Sequence, residues 1–245
     1  MRTAKRRARE VAARERSFVK LALALIEREG FHNLTLGGLA EESGYSKGTV
    51  YNHFTSREDL LIELSRESFR RQLQCFQELV DLPWGSVRQL YGLTIAYLRY
   101  SQAHPVLFEC SVIAHTTTIR SAASTVRMEQ RELMEAQISA VVGSVVRRTV
   151  AEGSFRGEGV SPEAAVDAVR AQVLGFSLTE LDGAKFLWSA EHLESDQWLR
   201  VLTATLHGLG WPALPLDEVY SLDEVVRELV ERVGSEYSTT PGEQI

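Results

Sequence analysis

Residues 44–54 read GYSKGTVYNHF, and this stretch decides how the N-terminal part of the chain folds. Ser46 is a natural N-cap, because its hydroxyl can accept a hydrogen bond from a free amide of the first helical turn. We therefore predict a short helix from Ser46 through His53. Gly44 suits the end of the preceding helix, since glycine adopts the left-handed conformation without steric cost. The stretch thus predicts a tight turn between two short helices.

Apolar spacing before and after this stretch predicts the neighbouring helices. A first helix over about residues 11–29 presents one buried stripe at i, i+3, i+4 and i+7, formed by Phe18, Leu21, Ala22 and Leu25. Thr35 can cap a short second helix that ends at Gly44. Ser56, followed by Asp59, resembles a capping box and opens a long fourth helix.

The two short helices and their glycine turn match the helix-turn-helix arrangement, in which the second helix enters the major groove of DNA. Val50 and Phe54 face the core, so the remaining side chains of the third helix point outward and can bond to phosphates or base edges. Gly48 lets the backbone approach the DNA, and the helix N-terminus attracts a phosphate. The same residues could instead form only the solvated face of two short helices. The candidate DNA-binding residues are Thr35, Ser46, Lys47, Gly48, Thr49, Tyr51, Asn52, His53 and Arg57.

Helical periodicity continues to the end of the chain, without the sustained alternation that marks strands. We therefore predict an all-α fold, with an N-terminal three-helix helix-turn-helix domain followed by a larger helical domain. Further helices are expected at about 85–103, 105–119, 122–152, 162–182, 196–208 and 221–233.

Charge is distributed unevenly along the 245 residues. Residues 1–20 hold eight Lys or Arg and two Glu, a charge of +6, so a total of −6 leaves −12 for the remainder. A basic arm, residues 1–14, precedes an acidic body. By itself such an arm is either a solvated tail or a contact for nucleic acid. The polar residues 235–245 predict a disordered tail.

Other patterns exclude several classes of protein. The two cysteines are 35 residues apart, which is no metal or redox spacing, and they predict buried thiols in a reducing cytoplasm. The histidines form no zinc-binding pair, and we expect no cofactor. A weak echo of a dinucleotide fingerprint at residues 208–213 follows a predicted helix and contains Pro212, so we predict that the protein is not an enzyme. The longest apolar run, at about 136–146, is too short to span a bilayer, and we expect a cytoplasmic protein with no membrane partner.

Several segments together resemble the N-terminal domain of the tetracycline-repressor (TetR) family of transcriptional regulators. The resemblance covers roughly residues 15–75. Arg57 departs from the family, which more often has lysine there, although either residue can hold a phosphate. The segments that carry the resemblance are Gly30-Phe31, Leu34-Thr35-Leu36, Leu39-Ala40, residues 44–54 and Arg57 through Leu61.

The resemblance implies a homodimer that binds a palindromic DNA operator and is released by a small-molecule effector, with repression as the default outcome. By matching position, Tyr51, His53 and Lys47 would anchor phosphates, and Thr49 and Asn52 would contact bases. The basic arm would then reach the minor groove or the backbone.

The resemblance also implies the division of the chain and the role of its second part. Residues 15–75 would be the DNA-binding domain and residues 76–234 the effector-binding and dimerisation domain. The helices at 162–182 and 195–209 would pair with their symmetry mates. An apolar pocket would suit a lipophilic effector. Its candidate lining residues are His104, Phe108, Ile113, His115, Met128, Met134 and Phe176, each of which could equally be an ordinary core residue.

One alternative from another class stays open. The chain could be a helical interaction module whose basic arm binds an acidic protein or a membrane surface, without sequence-specific DNA binding. The apolar stripe of the first helix, which packing requires, argues against the membrane surface. Salt-sensitive, sequence-selective binding to duplex DNA separates the two hypotheses.

Overall fold

The structure is a computed structural model that describes residues 2–182 and 195–235. Within these ranges every regular element is a helix, which confirms the predicted all-α class. The helices are Arg2–Glu29 (α1), Leu36–Ser43 (α2), Lys47–Tyr51 (α3), Arg57–Asp81 (α4), Ser86–Ala103 (α5), Pro105–Ile113 (α6), Thr117–Ala122 (α7), Thr125–Ala151 (α8), Pro162–Asp182 (α9), Ser195–Gly208 (α10) and Leu216–Ser235 (α11), with a 3₁₀ turn at Phe31–Asn33.

The chain forms two compact units that are discontinuous in sequence. The first comprises Met1–Arg70 and Val106–Glu135, and the second comprises Arg71–Pro105 and Ala136–Ile245. The predicted division between residues 75 and 76 does not follow this packing. The physical reason is that Cys110, Ala114 and Ile119 are buried in the same hydrophobic core as the helix-turn-helix.

The core of the first unit joins α1 to the short helices and to α4. Phe18 and Ala22 of α1 are fully buried there, in one cluster with Leu39 of α2 and Val50 of α3. Burying a Phe, Leu or Val side chain stabilises a fold by about 1.5–3 kcal/mol. Because α2 and α3 are too short to be stable alone, this shared core holds them in place.

Helix α5 is the centre of the second unit, and most of its side chains are buried. Helices α9 and α11 both pack along it. Arg99 of α5 donates to the Asp223 carboxylate of α11 over 2.6 and 2.8 Å, and both side chains are less than a tenth exposed. This paired charge joins α11 to the central helix.

Several helix boundaries differ from those expected. Helix α1 begins at Arg2 rather than at residue 11, because the basic arm contains only residues compatible with a helix and neither glycine nor proline. Helix α11 begins at Leu216, after Pro215, so Ser221 lies inside it rather than at its N-cap. Ser235 ends α11, and the rest of the predicted disordered tail, residues 236–245, lies outside the described residues. The single helix expected at 105–119 is two helices, because Thr116 has an extended backbone.

Candidate nucleic-acid interface

The turn between α2 and α3 has the capping geometry that the sequence predicts. Thr35 Oγ1 accepts a hydrogen bond from the Gly38 amide over 3.0 Å. Gly44 ends α2 in the left-handed conformation, with φ of 69°, and Ser46 Oγ accepts from the Thr49 amide over 3.2 Å. A side chain at position 44 would be strained at this φ. The two helices are therefore joined as in a helix-turn-helix.

Helix α3 separates its apolar and polar residues onto different faces. Val50 is fully buried, as is Phe54 just beyond the helix. Lys47 and Asn52 are exposed, and Tyr51 is 52% exposed. These three side chains can donate hydrogen bonds, and Tyr51 and Asn52 can also accept them. The outward face of α3 therefore offers groups that fit phosphates and base edges.

The hydroxyl groups at the start of the motif contribute to the fold. Ser46 Oγ and Thr49 Oγ1 lie 2.9 Å apart and share a hydrogen bond, and Thr35 Oγ1 serves as the cap of α2. Gly48 is exposed at the N-terminal end of α3, and a β-carbon at this position would come no closer than 3.9 Å to the nearest described atom outside its own helix backbone, Ser46 Oγ. A DNA backbone thus has open access to this turn.

His53 is predicted to face outward, but the structure buries its side chain. Its side chain is only 5% exposed, and Nδ1 lies 3.3 Å from Glu15 Oε2. The ring packs edge-on against Phe18, with ring centroids 5.2 Å apart. Burial alone raises the pKa of the Glu15 carboxyl, but hydrogen bonds and charge from Arg127 and His53 outweigh burial and hold that pKa below its usual value. The side chain of His53 therefore fastens the end of α3 to α1.

Arg57 also differs from the prediction that it holds a flanking phosphate. Its guanidinium donates from Nε to the Leu34 carbonyl over 2.9 Å and from Nη2 to the Phe31 carbonyl over 2.6 Å. These carbonyls belong to the turn that leads from α1 into α2. Arg57 thus directs two donors at the protein backbone.

Tyr45 is a candidate contact that sequence reasoning missed. It is 43% exposed and lies immediately before the cap of α3. The Arg14 guanidinium lies 5.2 Å from the centre of its ring, and Phe18 supports the ring from below, at 5.5 Å between centroids. The sequence does contain a signal for this role, because Tyr45 lies within residues 44–54, next to the Ser46 cap.

The predicted effector-lining residues do not fall in one unit. Phe108, Ile113, His115, Met128 and Met134 belong to the first unit, whereas His104 and Phe176 belong to the second. Ile113 and Met128 pack against the first core, and Phe176 packs against Trp198 of α10. Most of these residues thus have the packing of ordinary core side chains.

The two histidines of that set have different surroundings. Burial and the charge of Arg71 lower the pKa of His104 to about 4, so its ring is neutral at pH 7. That ring is tilted by 55° against the ring of Tyr100, with centroids 4.9 Å apart. Among the described residues, its buried Nε2 atom has no hydrogen-bond partner. His115 lies on the surface, with Nε2 3.0 Å from the guanidinium of Arg131.

A cleft of about 600 Å³ opens in the second unit and contains none of the predicted effector residues. It lies between the loop that follows α8 and the turn that follows α10. Trp211 lines the cleft and donates its indole N–H to Thr149 Oγ1 over 3.0 Å.

Comparison with known proteins finds similarity to bacterial regulators. Residues 18–64 match the family described as bacterial regulatory proteins, tetR family. The chain is 26% identical over 160 residues to the HTH-type transcriptional repressor KstR2 of Mycobacterium tuberculosis, an alignment that covers 65% of this chain and 76% of that protein. No helix within the described residues is long and apolar enough to cross a membrane.

Solved structures share the fold at low sequence identity. A tetR-family regulatory protein from Rhodococcus RHA1 superposes with a TM-score of 0.59 at 18% identity, over 82% of this chain and 98% of that one. The ketosteroid transcriptional regulator KstR2 of M. tuberculosis gives 0.57 at 19%, over 81% and 96%. FadR of Bacillus subtilis in complex with stearoyl-CoA gives 0.55 at 14%, over 87% and 95%.

Proposed function

Because the chain belongs to the tetR family of bacterial regulatory proteins, we propose that it is a transcriptional repressor that binds a palindromic operator as a homodimer and leaves it when a small molecule binds. The observation that carries this proposal is the outward face of α3. Lys47, Tyr51 and Asn52 are exposed there, while Val50 and Phe54 are buried in the core. Such a surface suits recognition in the major groove.

The helical form of the basic arm favours one mode of DNA contact. Residues 5–13 are exposed on all sides of α1, and they include Lys5, Arg6, Arg7 and Arg9. A helix is about 10–12 Å wide, whereas the minor groove is about 6 Å wide. We therefore infer that the arm lies against phosphates that flank the operator and does not insert into the minor groove as a helix.

Alanine substitution tests this role of the arm, since alanine keeps the helical propensity of the segment. Replacing all four cations at positions 5, 6, 7 and 9 should lower the slope of log affinity against log salt by up to about four units for each protomer. Sequence preference should not change, because phosphates carry no direct sequence information. An unchanged slope would leave the arm without a role at DNA.

The proposed dimer interface lies on faces of α9 and α10 other than their buried stripes. Leu199, Leu202 and Leu206 are buried within the protomer, so they are not available to a partner. Small and apolar side chains are exposed on a second face of each helix, namely Ala164, Ala168, Ala171, Gly175 and Leu178 on α9 and Val201, Ala204 and Gly208 on α10. Faces of this kind allow helices of two protomers to approach closely in a four-helix arrangement.

We propose that the effector is a lipophilic molecule. We also propose that the protein is located in the cytoplasm. Support comes from the relatives, of which one is named a ketosteroid regulator and another was solved with stearoyl-CoA. We propose that the protein has no catalytic activity. A thermal-shift screen with sterols and acyl-CoA thioesters tests the effector class, because a ligand that binds only the folded state raises the melting temperature.

The experiment that tests the whole proposal is selection from a pool of random duplex DNA, followed by binding at two salt concentrations. An enriched palindrome with half-sites about one helical turn apart supports a dimeric operator-binding protein. Asn52→Ala is the matched variant, because it removes an exposed amide without touching the core. Salt-sensitive binding without enrichment supports the alternative of a basic interaction module, and no binding contradicts the proposal.

A further inference from the structure

The side chain of Arg127 connects the first turn of α8 to three other parts of the helix-turn-helix unit. Nη1 lies 2.7 Å from Glu15 Oε1 of α1 and 2.7 Å from Glu63 Oε2 of α4. Nη2 donates to the His53 carbonyl, two residues beyond α3, over 2.9 Å. The guanidinium also lies over the Phe54 ring, 5.2 Å from its centre. All these groups belong to one compact unit.

A second contact fixes the same segment. Asp59 of α4 accepts the Ser124 amide on one carboxylate oxygen over 2.7 Å. Its other oxygen accepts the Thr55 amide over 3.1 Å and the Thr55 hydroxyl over 2.6 Å. Asp59 thus joins the residue before α8 to Thr55, which lies in the segment between α3 and α4.

These contacts matter because α3 has only five residues, Lys47–Tyr51. A helix this short takes its position from tertiary contacts rather than from its own hydrogen bonds. Its N-terminal end is held by the Ser46 cap. Beyond its C-terminal end, the backbone carbonyl of His53 is held by Arg127. Arg127 itself is only 11% exposed, so it is poorly placed to reach a phosphate.

We propose that Arg127 is a positioning residue for DNA recognition: it orients α3 from the first turn of α8 without contacting DNA. The inference rests on the proposed function, since it assigns α3 the role of recognition helix. Arginine suits the task because its planar fork presents several donors in fixed directions, whereas a lysine ammonium cannot reproduce that arrangement.

Arg127→Lys is the informative variant. It keeps a positive charge beside Glu15 and Glu63, so the unit should fold, but it loses the fork that reaches the His53 carbonyl. We expect specific operator affinity to fall about tenfold, a change within the range found for residues that act on a site without touching its ligand. In Arg127→Met, which removes the charge, the salt slope should stay as in the wild type, because no phosphate contact is lost.

Arg131→Lys is the matched control. Arg131 lies one turn further along α8 and is fully buried, and its side chain contacts Ser65, Glu135 and His115 rather than α3. We expect this variant to keep wild-type operator affinity. An equal loss in both variants would show general destabilisation and overturn the proposal. A salt slope lowered by about one unit in Arg127→Met, which removes the charge, would also overturn it, because Arg127 would then contact a phosphate.

Hydrogen exchange of the DNA-free protein separates this inference from the proposed function. Amides of residues 49–54 should exchange faster in Arg127→Lys than in the wild type or in Arg131→Lys, because α3 loses an anchor. Unchanged exchange would overturn the positioning role. If the wild type selects no DNA sequence, the proposed function fails, while faster exchange still supports Arg127 as the anchor of α3.

Discussion

Arg57→Met separates a structural arginine from one that contacts DNA. The guanidinium donates two hydrogen bonds to the Leu34 and Phe31 carbonyls, and methionine keeps much of the side-chain length while removing both. Hydrogen bonds from a charged group contribute about 1.5–3 kcal/mol each. Because Arg57 is partly exposed, the lower figure applies, and the variant should lose about 3 kcal/mol of unfolding free energy.

The assay for this change must follow the first unit. No tryptophan lies in residues 1–70 or 106–135, so tryptophan fluorescence does not follow the unfolding of the first unit. The unfolding of the first unit is followed instead by hydrogen exchange of the amides of residues 31–64 at increasing urea concentrations. With a slope of about 2 kcal/mol per molar urea, the midpoint should move down by about 1.5 M. The salt slope of DNA binding, measured in parallel without urea, should stay as in the wild type.

Lys47→Met is the control for the same experiment. Lys47 is exposed on α3, and its ammonium lies near Gly37 rather than against the core. This variant should keep its stability and lower the salt slope by about 0.9 for each protomer. The reasoning about Arg57 is refuted if Arg57→Met behaves like Lys47→Met, with a lower slope and unchanged stability.

Three further substitutions have distinct expected outcomes. Asn52→Ala should weaken binding by about 1–3 kcal/mol on the preferred operator and much less on random duplex, as measured by competition titration. Burial raises the pKa of Asp59, but hydrogen bonds from Thr55 and Ser124 outweigh burial and lower it. The ionised Asp59 carboxylate therefore stabilises the first unit above about pH 4, and this stabilisation disappears as the pH falls through the lowered pKa. Asp59→Asn should accordingly flatten the loss of stability of the first unit in acid, and an equally steep loss in urea titrations between pH 5 and 2.5 would contradict this. Asp223→Ala should destabilise the second unit by about 3–5 kcal/mol, because Arg99 loses its buried partner. Tryptophan fluorescence in urea measures the change, and a difference below about 1 kcal/mol would count against the pair.

Local chemistry made much of the DNA-binding unit predictable. Thr35 and Ser46 cap helices through amides three residues away, and Gly44 needs only its own φ, so the sequence contains the information for both. The burial of Val50 and Phe54 follows from helical spacing in the same way. For these residues the sequence neighbours determine the outcome.

Long-range partners explain what could not be predicted. Arg57 bonds to carbonyls 23 and 26 residues earlier, and Arg127 reaches Glu15 across 112 positions. A long charged side chain at a helix surface looks the same in sequence whether it meets water, DNA or a carbonyl. The extent of the first compact unit could not be predicted for the same reason, since α6 and α7 join its core by tertiary packing. Helix α1 extends to Arg2 because favourable propensity persists through the arm, even though no apolar stripe marks it.

The separation of faces on α3 has a consequence for how such a protein diversifies. Lys47, Tyr51 and Asn52 project away from the core, while Val50 and Phe54 supply the packing. Substitutions on the outward face therefore leave the fold nearly untouched, since surface changes away from caps and cores alter stability by about 0.5 kcal/mol or less. Paralogues that arise by gene duplication can acquire new operators through these three positions while conserving the other two. The same property makes α3 a practical place to engineer repressors that ignore one another's promoters.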